Sequence, residues 1–145
     1  MKKIYLVLGI LIIIGVFAWL LLRKPNPIAV NNNPTSLEEQ SDSQGAVTIK
    51  VTPLNLISDD TQWRFKIELD THSVALSQDL VANSQIVDNM GKIYKPVTWE
   101  GDAAGGHHRQ GTLVFNAISP APQSITLKIN GIEQEREFKW SLKSN

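Results

Sequence analysis

Residues 63 to 70 read WRFKIELD, so Trp63, Phe65, Ile67 and Leu69 alternate with Arg64, Lys66, Glu68 and Asp70. Successive side chains leave a strand on opposite sides, so a period of two describes a strand with one wet and one buried face. A helix cannot gather that pattern onto one side. The alternation recurs in Val47, Ile49 and Val51, in Leu113 and Phe115, in Ile125, Leu127 and Ile129, and in Phe138, Trp140 and Leu142. VANSQIVD (81 to 88) and GKIYKPVTW (91 to 99) are shorter candidates.

Turn residues separate these runs: SDD at 58 to 60, DNMG at 88 to 91, SPAP at 119 to 122 and Asn130-Gly131. Asn-Gly between two alternating runs predicts a tight hairpin. No long amphipathic helical segment interrupts the pattern, so βαβ units are not expected. Residues 46–145 are predicted to form an all-β domain, an immunoglobulin-like β-sandwich of about seven strands. The chain has no cysteine, which rules out the antibody-type disulfide but not the architecture. Trp63, Phe65, Phe115, Phe138 and Trp140 fall on the apolar phase and are expected in the core.

A different constraint governs the N-terminus. Ile4 to Leu22 is a run of nineteen residues without a charge, flanked by Lys2-Lys3 and Arg23-Lys24. About 20 apolar helical residues span a bilayer core, and Tyr5 and Trp19 stand where amphipathic rings favour the interface. The run is long for a cleaved leader, and Arg23-Lys24 replaces the small residues of a cleavage site. Residues 1–24 therefore read as an uncleaved signal-anchor transmembrane helix. Residues 25–45, rich in Pro, Asn and Ser, read as a flexible linker. The flanking basic counts are equal, so orientation rests on the polar domain that follows, which is expected outside the cytoplasm.

Beyond residue 24 there are ten basic and fourteen acidic side chains, a net charge near −4. That balance suits a soluble domain and offers no basic face for nucleic acid.

GDAAGGHHRQG, residues 101 to 111, carries the most distinctive chemistry. His107 and His108 are adjacent, and His72 lies in DTHSVAL just after the Trp63–Asp70 run. If loops at one end of a sandwich cluster, His72, His107 and His108 could converge on copper(II) or zinc, with Met90 as a soft ligand for copper(I). The glycines permit the sharp turn that adjacent histidines need to face one ion. Asp102 could pair with Arg109 across the turn, Asp70 and Asp79 could shape neighbouring turns through the backbone, and Trp99 could cover the loop's base or help line a site. Ser73 lies beside His72 but lacks a nucleophile-elbow context, so catalysis is not expected.

THSVAL at 71 to 76 together with TWEGDAAGGHHRQGTLVF at 98 to 115 resembles a recurring kind of small membrane-anchored or exported prokaryotic domain. The two stretches cover about a quarter of the domain. The resemblance implies an exported β-domain and assigns no catalytic or metal role.

These features lead to an expected single-pass membrane protein presenting a non-enzymatic interaction or assembly module outside the cytoplasm. It would contact the membrane through residues 4–22 and bind another envelope or membrane protein, with self-association left open. The alternative is a membrane-tethered copper or zinc binder using the loop histidines.

Overall fold

The alternating segments fold as strands. The computed structural model describes residues 37–56 and 61–142. Nine strands and one helical turn follow one another in it: β1 (Gln40–Asp42), β2 (Val47–Asn55), β3 (Gln62–Thr71), α1 (Leu80–Asn83), β4 (Ser84–Asp88), β5 (Ile93–Tyr94), β6 (Thr98–Gly101), β7 (His108–Asn116), β8 (Ser124–Ile129) and β9 (Arg136–Ser141). They build two sheets, of order β1-β2-β3-β7-β6 and β5-β4-β8-β9. Every pairing is antiparallel.

The inner faces share one apolar core. Trp63, Phe65, Phe115, Phe138 and Trp140 are all buried in it, as their phase requires. Phe65 of the first sheet meets Trp140 of the second at 5.6 Å between ring centroids and Phe115 edge-on at 5.7 Å. Aromatic contacts of this kind add to what area burial alone supplies.

The structure departs from expectation in three places. The strand count exceeds seven because GKIYKPVTW divides into β5 and β6, and because β1 adds a short edge strand without an apolar residue. β1 lies inside residues 25–45, the stretch expected to be linker. Asn130-Gly131 does not make a two-residue hairpin. Register runs from Ile129 opposite Arg136, leaving residues 130 to 135 as the loop. The reason is Ile132, which turns inward and is buried, while the Asn130 N–H bonds to Asn83 O at 2.8 Å. The expected membrane helix, Ile4 to Leu22, lies outside the described residues. Among those described, no helix is long and apolar enough to cross a membrane.

β1 is held by more than its ladder. It pairs with β2 through Gln40, Ser41 and Asp42. Its side chains reach β9, in the other sheet. The Gln40 carboxamide donates to Lys139 O and accepts from the Lys139 N–H. The Trp140 indole N–H donates to Glu38 O at 2.9 Å. Arg136, fully buried, donates to the Asp42 carboxylate and to Gln44 O, with Glu133 3.7 Å away. Burial pushes the Asp42 carboxyl upward, but hydrogen bonds from the Gln44 N–H, the Arg136 guanidinium and the Gln44 side-chain amide outweigh it. Together they hold the group below the usual carboxylate range.

Removing the anion from this pair leaves a buried cation with only the more distant Glu133 carboxylate to offset it. Asp42→Asn is expected to cost about 3 kcal/mol at neutral pH. Because the folded-state value is depressed, the Asp42 contribution is present above the ordinary carboxylate value and is lost as pH falls through the lower folded value. Urea midpoints measured between neutral pH and strong acid should therefore drop more steeply for wild type than for D42N. Parallel curves would contradict the assignment.

Candidate functional site

β6 and β7 form a hairpin whose tip is residues 102 to 107. Gly105 and Gly106 take φ values of 120° and 71°, a region closed to most side chains. This lets the tip turn against the segment after β3. Gly105 N–H donates to Leu76 O at 2.9 Å, Leu76 N–H to Gly106 O at 3.0 Å and Thr71 N–H to His107 O at 2.9 Å. The glycine run is thus a backbone clasp between two loops.

Arg109 secures the clasp from inside. It is 5% exposed and has no acidic partner among the described residues. Its guanidinium donates to Gln78 O at 2.6 Å, Asp102 O at 3.3 Å and Leu76 O at 3.4 Å, and lies 5.2 Å from the Trp99 ring centroid. The expected Asp102–Arg109 ion pair is not formed. The Asp102 carboxylate instead accepts from Gln110 N–H at 2.9 Å, and only its backbone oxygen meets Arg109.

Trp99 covers the base of the hairpin, as anticipated. Its indole N–H donates to Asp102 O at 2.9 Å. Gly101 and Gly111 face each other beneath it. A Cβ at Gly111 would stand 2.6 Å from both Gly101 Cα and Trp99 Cζ2. Asp79 also behaves as its sequence suggests, capping α1 by accepting from Val81 and Ala82 N–H at 2.9 and 3.1 Å.

The histidines lie outside this scaffold. His72, His107 and His108 are all exposed. His108 opens β7 opposite Asp70 of β3, and its Nδ1 is 2.5 Å from Asp70 Oδ1. Asp70 therefore pairs with an imidazole rather than with the backbone near His72. The His108 side chain stays 73% exposed, so the pair adds little stability. Among the described residues, no three His, Asp or Glu side chains come together as a ligand set. The imidazole trio expected around a metal is not assembled, and Met90 lies apart in the β4–β5 turn with 79% of its surface exposed.

Around His108 the wet face of the first sheet forms an open groove of about 300 Å³, lined by Lys50, Glu68, Asp70, Asp102, Gln110 and Arg109 among others. Register places Lys50 opposite Glu68 and Glu68 opposite Gln110. Lys66 donates to Glu68 at 2.6 Å, which raises the lysine above its usual value. Such a surface can meet a small polar group, and two of its carboxylates are already engaged, Glu68 by Lys66 and Asp70 by His108.

Of the two groups that hold this molecule together most specifically, Arg136 was not singled out from sequence, and Arg109 was read only as a partner for Asp102 and not as a buried cation. A signal existed. Arg109 shares parity with Leu113 and Phe115, and Arg136 with Phe138 and Trp140. A cation on the buried phase must be desolvated and paired. Compared with known proteins, the chain matches no family model, no curated protein and no solved structure.

Gly111→Ala is expected to destabilise the domain by about 1–3 kcal/mol, because backbone rather than a flexible side-chain tip meets the new methyl. Equal denaturant midpoints for G111A and wild type would contradict the close approach. His72, His107 and His108 come to the same end of β3 and β7, yet no ligand set forms among the described residues, which gives a second expectation. Micromolar zinc or copper(II) should leave the melting temperature unchanged in wild type and in the H107A/H108A variant alike. A rise in wild type alone would show that the loops can assemble a site.

Proposed function

We propose that this chain is a single-pass membrane-anchored protein. On this reading it displays an immunoglobulin-like β-sandwich outside the cytoplasm as a non-enzymatic interaction or assembly module. The strand order supports the immunoglobulin-like part. Taking β2, β3, β7 and β6 as strands A, B, E and D, and β9, β8, β4 and β5 as G, F, C and C′, both sheets follow the neighbour order of that architecture, with β1 added beside A.

The observation that carries the placement is the uncharged run Ile4–Leu22, ahead in sequence of a domain with an apolar core and a strongly polar outer face. Tethering raises the effective concentration of such a domain for membrane partners. Edges and end loops of a sandwich serve as docking surfaces. A metal-binding role draws no support from the positions of His72, His107 and His108.

The test uses the full chain in a bacterial host. It should remain with membranes through an alkaline carbonate wash, and protease added outside intact cells with a permeable outer layer should cleave it. Ile12→Arg with Ile14→Arg should release it to the soluble fraction, since each charge at the centre of a span costs about 2.5–3.5 kcal/mol. A wild-type chain that washes free, or that protease cannot reach, would remove the placement.

A further inference from the structure

The outer edge of β9 is finished in an unusual way. An edge strand presents unpaired N–H and C=O groups that invite another strand. Here one side-chain amide takes the place of a neighbouring peptide group, as Gln40 both donates to and accepts from Lys139. Two residues upstream, Glu38 O receives the Trp140 indole N–H, and two residues downstream, Asp42 meets Arg136. Residues 38 to 44 thus sit across β2 and β9 as a ligand sits in a site, matched at several positions by chemistry specific to this short segment.

The hinge joining this segment to β2 is residues 43 to 46. It closes tightly. Gly45 takes φ 66°, and a Cβ there would fall 1.8 Å from the Glu133 carboxylate. That carboxylate accepts from Ala46 N–H at 2.9 Å. Glu133 itself holds φ 59°, a left-handed conformation uncommon for a non-glycine residue. Strain therefore gathers where the hinge is fastened, and short strained hinges favour exchange of the element they carry.

We propose that residues 38 to 42 exchange between two copies of this chain. Straightening the hinge merges β1 and β2 into one long strand that pairs antiparallel with its twin about a two-fold axis. Each copy then receives Gln40, Asp42 and Glu38 from the other at its own β9 edge. The occupant is a second copy because exchange reproduces the contacts made by Glu38 O and by the Gln40 and Asp42 side chains, while the contacts given up are those of the hinge itself, Gln44 O with Arg136 and the Ala46 N–H with Glu133. The resulting interface is self-complementary and closed. The inference deepens the interaction-module reading by naming a partner, and rests on it only for how copies meet.

The chain has no native cysteine, so engineered thiols report pairing directly. Ser41 and Lys50 are directly opposed in the β1–β2 ladder, within the span of a disulfide. Full-length Ser41→Cys and Lys50→Cys chains, differently tagged, are coexpressed, purified in detergent and mildly oxidised. Mixed S41C–K50C disulfides should exceed the two like pairs by at least about tenfold, as expected when pairing sets the effective concentration. Adding Gln40→Ala and Asp42→Ala to both chains should remove that excess. Random pairing of the three kinds would overturn the proposal. So would a chain carrying both S41C and K50C that closes its disulfide entirely within itself at every protein concentration. The readout in detergent is independent of cellular location, so a failure of exchange is distinguishable from a failure of the membrane placement.

Discussion

A guanidinium with no access to water dictates much of this structure. Arg136 sits on the inward phase of β9, and taking a cation out of water costs several kcal/mol unless anions and carbonyls replace its hydration shell. Among the described residues, its replacements are the Asp42 carboxylate, Gln44 O and the more distant Glu133. Two of the three lie in a segment that composition assigns to a linker. The charge on β9 thereby recruits residues 38 to 44 to the fold and ties an edge of one sheet to an edge of the other.

Arg109 solves the same problem at a different point and with different means. It has three backbone carbonyls and an aromatic face in place of a carboxylate. Those carbonyls belong to Leu76, Gln78 and Asp102, on the two loops that Gly105 and Gly106 clasp together. The glycine-histidine stretch is accordingly scaffold, in which glycines allow the backbone to turn and arginine holds it turned. The imidazoles project from that scaffold to solvent. His108 is the first residue of β7 and His107 the last of the turn.

How far the sequence could be read follows from what period-two patterning encodes. Alternation reports which face a residue takes, so the burial of Trp63, Phe65, Phe115, Phe138 and Trp140 was legible, and with it the all-β class. Alternation says nothing about a strand whose stability comes from main-chain pairing and polar side chains. β1, with sequence QSD, has no apolar phase to display. It says nothing about loop conformation either, so Ile132 turning into the core converted an expected tight hairpin into a longer loop. Nor does it say which wet residues become neighbours. The Asp70–His108 pair is a product of β3–β7 register, which depends on long-range pairing. The two arginines are the instructive case. Their parity placed them inside, and their residue type made an inside position costly. That conflict between pattern and chemistry marks the places where distant segments had to be brought together.

The same reasoning shifts attention from the loop to the edge. A sandwich has open sheet edges, and each must be covered, shortened or paired. β5 is only two residues long and β6 four, which limits what they offer to another strand. β9 is six residues long and adjoins a strained turn, so its edge needs a cover, and the cover comes from the stretch of chain that leads toward the N-terminus. A cover made of side-chain contacts and a three-residue ladder is held less firmly than a full strand, because fewer main-chain bonds must break together to release it. A part of this fold rich in specific contacts is thus also weakly protected by cooperative pairing, and that combination suits a surface whose occupant can be exchanged.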